Sequence, residues 1–268
     1  MGGQDMRRRD ALSGLAAAGL LPAVVDATEV EAAAWAAVDL RAIETPRGVQ
    51  LDRTWPPASL TKLALAVLAA ETVRAGRLAW TDTIAVSAPA AAASGARLGL
   101  QVNERLEVYD ALAAMLVGSC NDAARTLAEA VAGHEAACAV SMTRLAGRHG
   151  AIATRFADAT GISAASVTTA RDLARLAGAF EREAPEVRLL AARREIVAAG
   201  RTVRSTNGLL GQAGIDGLKT GSSSAAGLNL IASAPRGRGR RLAIVLGASD
   251  RATRNGLALD LLAGRQPG

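Results

Sequence analysis

Apolar residues recur along this chain in two rhythms, and the place where one gives way to the other divides the sequence. Short apolar stretches from Ala33 to Leu40 and from Gly48 to Arg53 flank Thr45-Pro46-Arg47-Gly48 and predict a β-hairpin. Pro56-Pro57 keeps the chain extended. Leu60, Leu63, Ala64, Val67 and Leu68 then follow at helical spacing until Arg74-Ala75-Gly76 supplies a stop. The segments Leu106 to Val117, Asn121 to Val131, Glu135 to Arg148 and Thr169 to Glu181 keep helical spacing and predict a helical lobe over about 77–190. After Glu186 the pattern turns to strands: Glu195 to Val203, Gly214 to Gly221, Gly227 to Ala234 and Leu242 to Gly247, followed by a closing helix from Arg251 to Leu262. The expectation is an α+β fold: one antiparallel sheet built from 33–55 and 195–264, flanked by terminal helices, with the helical lobe inserted between its halves.

Residues 1–27 stand apart from this pattern. Arg7, Arg8 and Arg9 form a positive head, Ala11 to Val25 a modest apolar run, and Val25-Asp26-Ala27 a small-residue cleavage site, so the segment reads as an export signal. Arg8-Arg9-Asp10-Ala11-Leu12 resembles a twin-arginine signal, with Ala11 where a larger residue is often found; an ordinary secretory route stays open. The run is too short for a comfortable membrane span.

Half of the 268 residues are hydrophobic, enough for a sizeable core, and aromatics are only 2%, so that core is built from Ala, Leu, Val and Ile. The net charge of +6 raises nucleic-acid binding, but the arginines are scattered and stacking aromatics are scarce, so no nucleic acid is expected. Taking away residues 1–27 removes three arginines and three aspartates, so the basicity belongs to the domain. Cys120 and Cys138 could pair in an oxidising compartment, but two cysteines make no disulfide framework, and the pair reads first as buried thiols.

The cations themselves carry a signal. Of 31 basic residues, only Lys62 and Lys219 are lysines. A chain that otherwise uses arginine keeps lysine where a cation must be able to lose its proton. Lys62 follows Ser59 by three positions at a predicted helix start, which puts an amine within reach of a hydroxyl: a nucleophile and its base. Ser119-Cys120-Asn121 falls between two predicted helices, where side chains project into a cleft; taken alone, Ser119 or Asn121 reads as a helix cap. Lys219-Thr220-Gly221-Ser222 ends a predicted strand, a place to dock an extended peptide and its carboxylate, or alone a surface turn.

In this order, Ser-x-x-Lys, Ser-x-Asn and Lys-Thr-Gly are the signature of the penicillin-recognising serine enzymes. The chain resembles the low-molecular-mass penicillin-binding proteins that are D-alanyl-D-alanine carboxypeptidases. The likeness runs from about Ala33 to Leu262 and includes Thr169-Ala170-Arg171-Asp172-Leu173-Ala174 and Ala226-Gly227-Leu228-Asn229-Leu230. The resemblance implies a catalytic domain over 28–268 of the β-lactamase/transpeptidase-like type. Its substrates would be peptidoglycan stem peptides, and β-lactams would be inhibitors. Ser59 would attack the carbonyl between the last two D-alanines and Lys62 would accept its proton. Ser119 would relay a proton to the leaving amine and Asn121 would hold the substrate amide. Lys219 and Thr220, with Gly221 beside them, would bind the terminal carboxylate, and the N–H groups of Ser59 and Ser222 would form the oxyanion hole. No metal and no cofactor is expected. The enzyme would act outside the cytoplasmic membrane, in a periplasmic or other extracytoplasmic space, without a stable membrane anchor after loss of the signal.

Some positions depart from the family pattern. Ser222 stands where an aromatic residue or His is common, and Thr206 stands where some relatives carry a basic residue, so a second carboxylate contact is expected to be missing. A class A β-lactamase shares the three motifs, yet Glu129, Glu135, Glu181, Glu183 and Glu186 lack the Glu-x-x-x-Asn spacing that its deacylation needs. A DD-endopeptidase remains an alternative, and a non-catalytic wall-binding relative would have lost Ser59 or Lys62. His134 and His149 read as structural.

Overall fold

The computed structural model describes residues 32–265, so the export-signal reading of 1–27 lies outside the described residues. In chain order, β1 (Ala34–Asp39) and β2 (Arg47–Val49) lead to α1 (Lys62–Arg74). Next come β3 (Thr83–Ala85), α2 (Ala88–Ala91), β4 (Arg105–Glu107), α3 (Val108–Val117), α4 (Asn121–Ala132), α5 (Glu135–Arg148), α6 (Ala170–Glu183) and α7 (Pro185–Arg188). The chain closes with β5 (Glu195–Ala198), β6 (Arg201–Arg204), β7 (Gly217–Ser223), β8 (Gly227–Arg236), β9 (Gly239–Ala248) and α8 (Arg251–Ala263).

The antiparallel sheet has the order β2-β1-β9-β8-β7, so strands from the two ends of the chain meet along β1 and β9, with Trp35 opposite Val245. Side-chain alternation gives the sheet two apolar faces. Ala34, Ala36, Val38, Leu242, Ile244 and Leu246 face the helical lobe. Trp35, Ala243, Val245, Leu230 and Ala232 face α8 through Leu257, Ala258 and Leu261. The expected α+β architecture is therefore present.

In the lobe, α1 packs among the other helices, against α4, α5 and α6. Every residue from Lys62 to Ala70 is buried, including Leu65, Ala66 and Ala69 outside the apolar stripe seen in the sequence. A helix covered on all sides is what an Ala/Leu-rich stretch without interruption supports. Gly76, at φ 69°, follows its C-terminus as the stop.

Two stretches differ from the sequence reading. Residues 195–204 do not join the main sheet: Ala199 (φ 47°) and Gly200 (φ 72°) form a tight two-residue reversal that pairs β5 with β6, and Ala198 and Val203 pack with the buried residues of the lobe. The lobe also contains a small ribbon, β3 with β4, whose strands are too short to show a period-two pattern.

Candidate active site

Ser59 does not sit on α1 itself but in a 3-10 turn, Ala58–Thr61, that runs straight into it. Residues three apart eclipse one another in such a turn, and Ser59 Oγ lies 2.8 Å from Lys62 Nζ. Ala58, just before the serine, is held at φ 49°, a left-handed conformation that costs a non-glycine residue about 1–2 kcal/mol. The turn is tied from behind. Buried Asn229 donates from Nδ2 to the carbonyls of Pro56 (3.0 Å) and Pro57 (3.1 Å) and accepts the Gly247 N–H (2.8 Å). The Trp55 indole N–H donates to the Ala226 carbonyl at 2.9 Å.

Lys62 is completely buried. Besides Ser59, its amine donates to Asn121 Oδ1 at 2.8 Å and to the Thr160 carbonyl at 2.7 Å. Those two partners can only accept. A neutral amine has two N–H bonds and one lone pair, so with both N–H bonds spent on Asn121 and Thr160 the lone pair is left for the Ser59 hydroxyl proton. Asn121 is fixed in this orientation because its Nδ2 donates to the Ser94 carbonyl at 2.6 Å. Burial, and after it the Lys219 cation, hold the Lys62 ammonium well below the usual lysine range, with Asp158, Cys120 and Glu135 pulling the other way.

Ser119 is buried in the turn before α4 at φ 61°. The cap position of α4 is Cys120, without a side-chain cap bond, so neither Ser119 nor Asn121 is spent on capping. Asp122 takes the N–H groups of Leu98 (2.9 Å), Gly99 (2.8 Å) and Leu100 (3.1 Å) and fixes the loop over this corner. Cys120 and Cys138 are free and buried, and burial pushes their thiols up to about 11 and about 12.

On the other wall, β7 carries Lys219, Thr220, Gly221 and Ser222. Lys219 is buried, donates to the Thr220 carbonyl at 3.0 Å, and is lowered by burial to about 7. Thr220 Oγ1 lies 2.6 Å from Thr206 Oγ1, which puts the departure at Thr206 in direct contact with a candidate carboxylate-binding residue. A Cβ on Gly221 would stand 3.0 Å from the Pro57 carbonyl and 3.1 Å from the Ser59 nitrogen, so a side chain there would push β7 and the serine turn apart by a few tenths of an ångström. Ser222 is exposed at the rim. The fold thus brings Ser59, Lys62, Asn121 and Gly221 together directly, sets Lys219 where its charge acts on Lys62, and places Thr220 and Ser222 on the same strand.

A model of the D-alanyl-D-alanine carboxypeptidase family (peptidase S11) matches residues 22–250. The chain belongs to this family. It is 31% identical over 233 residues to the D-alanyl-D-alanine carboxypeptidase DacC of Escherichia coli, covering 84% of this chain and 58% of that protein. It is 30% identical to DacD of the same organism, covering 87% and 63%. The chain therefore spans about three fifths of the length of these curated relatives. Among solved structures, penicillin binding protein 6B of Escherichia coli superposes with a TM-score of 0.82 at 30% identity, over 91% of this chain and 80% of that one. The ampicillin-bound penicillin-binding protein D2 of Listeria monocytogenes gives 0.79 at 29% identity, over 88% and 99%.

Several site-forming groups carry no motif signal. Thr160 acts through a backbone carbonyl, which no residue type announces. Asp158 and Glu135 shape the loop that presents it, with Glu135 Oε1 accepting the Ala159 N–H at 3.2 Å. Asn229 lies inside a stretch that supports the family resemblance, and its work becomes visible only through the Pro56 and Pro57 carbonyls it holds. Asp172, in another such stretch, is structural: it accepts the Ala153 N–H (2.9 Å) and the Thr154 hydroxyl (2.8 Å). His134 caps α5 through Nδ1 and His149 lies 3.5 Å from Glu183.

Proposed function

We propose that this protein is a serine-type D-alanyl-D-alanine carboxypeptidase that removes the terminal D-alanine of peptidoglycan stem peptides and is acylated by penicillins at Ser59. The observation that carries this reading is Lys62: a buried amine, lowered below its usual range, with two pure acceptors that leave its lone pair for Ser59 Oγ.

The Ser59 proton passes to the Lys62 lone pair as Oγ attacks the carbonyl carbon between the two D-alanines. The N–H groups of Ser59 and Ser222 take the developing oxyanion, and the close fit at Gly221 supports their facing one another. The C–N bond breaks as the Lys62 ammonium returns that proton to the leaving nitrogen through the Ser119 hydroxyl, and D-alanine departs. Water then hydrolyses the Ser59 ester and restores the hydroxyl. Lys219 in its ammonium form and Thr220 bind the terminal carboxylate. Because Thr220 must donate to that carboxylate, the shared proton with Thr206 comes from Thr206. Asn121 keeps one Nδ2 hydrogen for the substrate carbonyl after bonding Ser94.

The carboxylates that act on Lys62 are already committed. Asp158 accepts backbone N–H groups, and Glu135 serves Ala159 and Arg125, the latter at 3.0 Å. This supports a stable penicilloyl-enzyme over β-lactamase turnover. Peptidoglycan lies outside the cytoplasmic membrane, so the reading includes export by residues 1–27, with 28–268 as the catalytic domain. Among the described residues no helix is long and apolar enough to cross a membrane.

Incubation with a stem pentapeptide and with a chromogenic cephalosporin tests the reading. D-Alanine release with slow cephalosporin turnover is expected; fast cephalosporin turnover without D-alanine release would overturn it.

A further inference from the structure

Lys62 owes one of its two fixed acceptors to a loop, 158–163, that lies over the serine turn. We propose that Asp158 is a positioning residue for the base: its carboxylate gathers the backbone N–H groups of Thr160, Gly161 and Ser163 and so holds the Thr160 carbonyl on the Lys62 amine. The inference rests on the reading of Lys62 as the base.

The geometry is specific. Asp158 Oδ1 accepts the Thr160 N–H at 3.0 Å and the Gly161 N–H at 2.5 Å, while Oδ2 accepts the Ser163 N–H at 2.7 Å. The carbonyl of Thr160, between two of these amides, accepts from Lys62 Nζ at 2.7 Å. Without that acceptor one Lys62 N–H would be free to turn toward Ser59, and the lone pair would no longer be directed at the hydroxyl proton. Three amide bonds converge on one carboxylate, two of them short at 2.5 and 2.7 Å, and its negative charge strengthens them, because charge-assisted bonds of this kind are about twice as strong as neutral ones.

Asp158 also sets the electrostatic surroundings. Lys62 is faced by Lys219 from β7, by Asp158 from this loop, by Cys120 from the start of α4 and by Glu135 from α5. Cys120, pushed up to about 11, is a neutral thiol at neutral pH, so the anions are Asp158 and Glu135. Glu135 is paired with Arg125 at 3.0 Å, whereas Asp158 spends its carboxylate on neutral amides. Asp158 is thus the main counterweight to burial and Lys219.

The chain has only two lysines, so a protein labelled with 13C at lysine Cε shows two resonances, and the Lys62 signal is identified by its loss in Lys62→Arg. Asp158→Asn keeps shape, loses the charge and turns an amide N–H against a backbone N–H. The expected result is a Lys62 titration moved to lower pH, because the ammonium loses a neighbouring anion. Acylation by a fluorescent penicillin should fall about 10–100-fold, as when a reacting group shifts by a fraction of an ångström to an ångström. Asp158→Glu keeps the charge but displaces the acceptors: the titration should stay near that of the unaltered protein while the acylation rate still drops. If Asp158→Asn does not fold, Asp158→Glu carries the test alone, and an unchanged acylation rate there overturns the proposal. A folded Asp158→Asn protein with the Lys62 titration and acylation rate both unchanged overturns it too, even if its melting temperature is lower, since that is a merely structural role. The titration reads Lys62 whatever the substrate is. An unaltered protein that penicillin fails to acylate refutes the carboxypeptidase reading; where the unaltered protein is acylated, a folded Asp158→Asn protein with titration and acylation rate both unchanged refutes this one.

Discussion

Replacing Gly161 by alanine puts one methyl group between the loop that presents Thr160 and the turn that carries Ser59. Gly161 sits at φ 80°, and a Cβ built on it would stand 1.9 Å from the Ala58 carbonyl oxygen and 2.3 Å from its carbon. Both atoms are backbone, so no side chain can swing away. Real Cβ atoms essentially never approach below 3.0 Å, so the loop must retreat from 1.9 Å to at least that distance, a shift of about 1 Å. A retreat of that size carries the Thr160 carbonyl from 2.7 Å to beyond the range of a useful hydrogen bond with Lys62. The left-handed φ adds about 1–2 kcal/mol of strain for a residue with a Cβ. A misplacement of about 1 Å at a reacting group costs about 100-fold in rate. We therefore expect Gly161→Ala to lower the rate constant for acylation by a fluorescent penicillin about 100-fold, with a lower melting temperature. Gly147→Ala is the control: Gly147 lies within α5 with nothing within 4 Å of its Cβ position, and alanine there should stabilise the protein by about 0.5–1 kcal/mol with acylation unchanged. Stopped-flow acylation and a thermal melt on both variants decide the matter. A Gly161→Ala protein that acylates within about twofold of the unaltered chain would refute the claim that this contact holds the base in place.

Lys62→Arg keeps a cation but cannot release its proton, so acylation should fall about 10²–10⁴-fold; labelling at the normal rate would show that Lys62 is not the base. Lys219, lowered by burial to about 7, must be an ammonium to bind a carboxylate, so raising the pH through 7 removes the binding form. KM for a stem pentapeptide should therefore climb above pH 7, approaching about tenfold per unit, and a KM that stays flat to pH 9 would contradict this role. Asn229→Ala strips hydrogen bonds from the Pro56 and Pro57 carbonyls and the Gly247 N–H. At about 1–3 kcal/mol for a buried group left unsatisfied, chemical denaturation should show a loss of about 3 kcal/mol, and a loss below about 0.5 kcal/mol would contradict the tie.

Much of the fold can be read from the chain because its helices and strands bury continuous apolar faces. The paired strands of the main sheet and the helices of the lobe follow directly from the period of Ala, Leu, Val and Ile. The hairpin at 195–204 is not legible as such, since Ala199 takes a left-handed φ usually reserved for glycine or asparagine, and nothing in its residue type marks the reversal. At the site, hydroxyl, amine and amide side chains are visible as spaced motifs. What holds them is not: the Thr160 carbonyl has no residue signature, and the tie from Asn229 to Pro56 spans 173 positions. The Ser59–Lys62 spacing is legible, but a 3-10 turn and an α-helix both bring residues three apart onto one side, so the tighter geometry emerges only in the structure.

The central claim is that Ser59, activated by Lys62, forms an acyl-enzyme. Its most direct measurement is the intact mass and labelled peptide of the protein after reaction with a fluorescent penicillin, run beside Ser59→Ala. A single adduct is expected on the peptide containing Ser59 and none in Ser59→Ala; an adduct that persists in that variant, or one carried by another residue, would show that Ser59 is not the nucleophile.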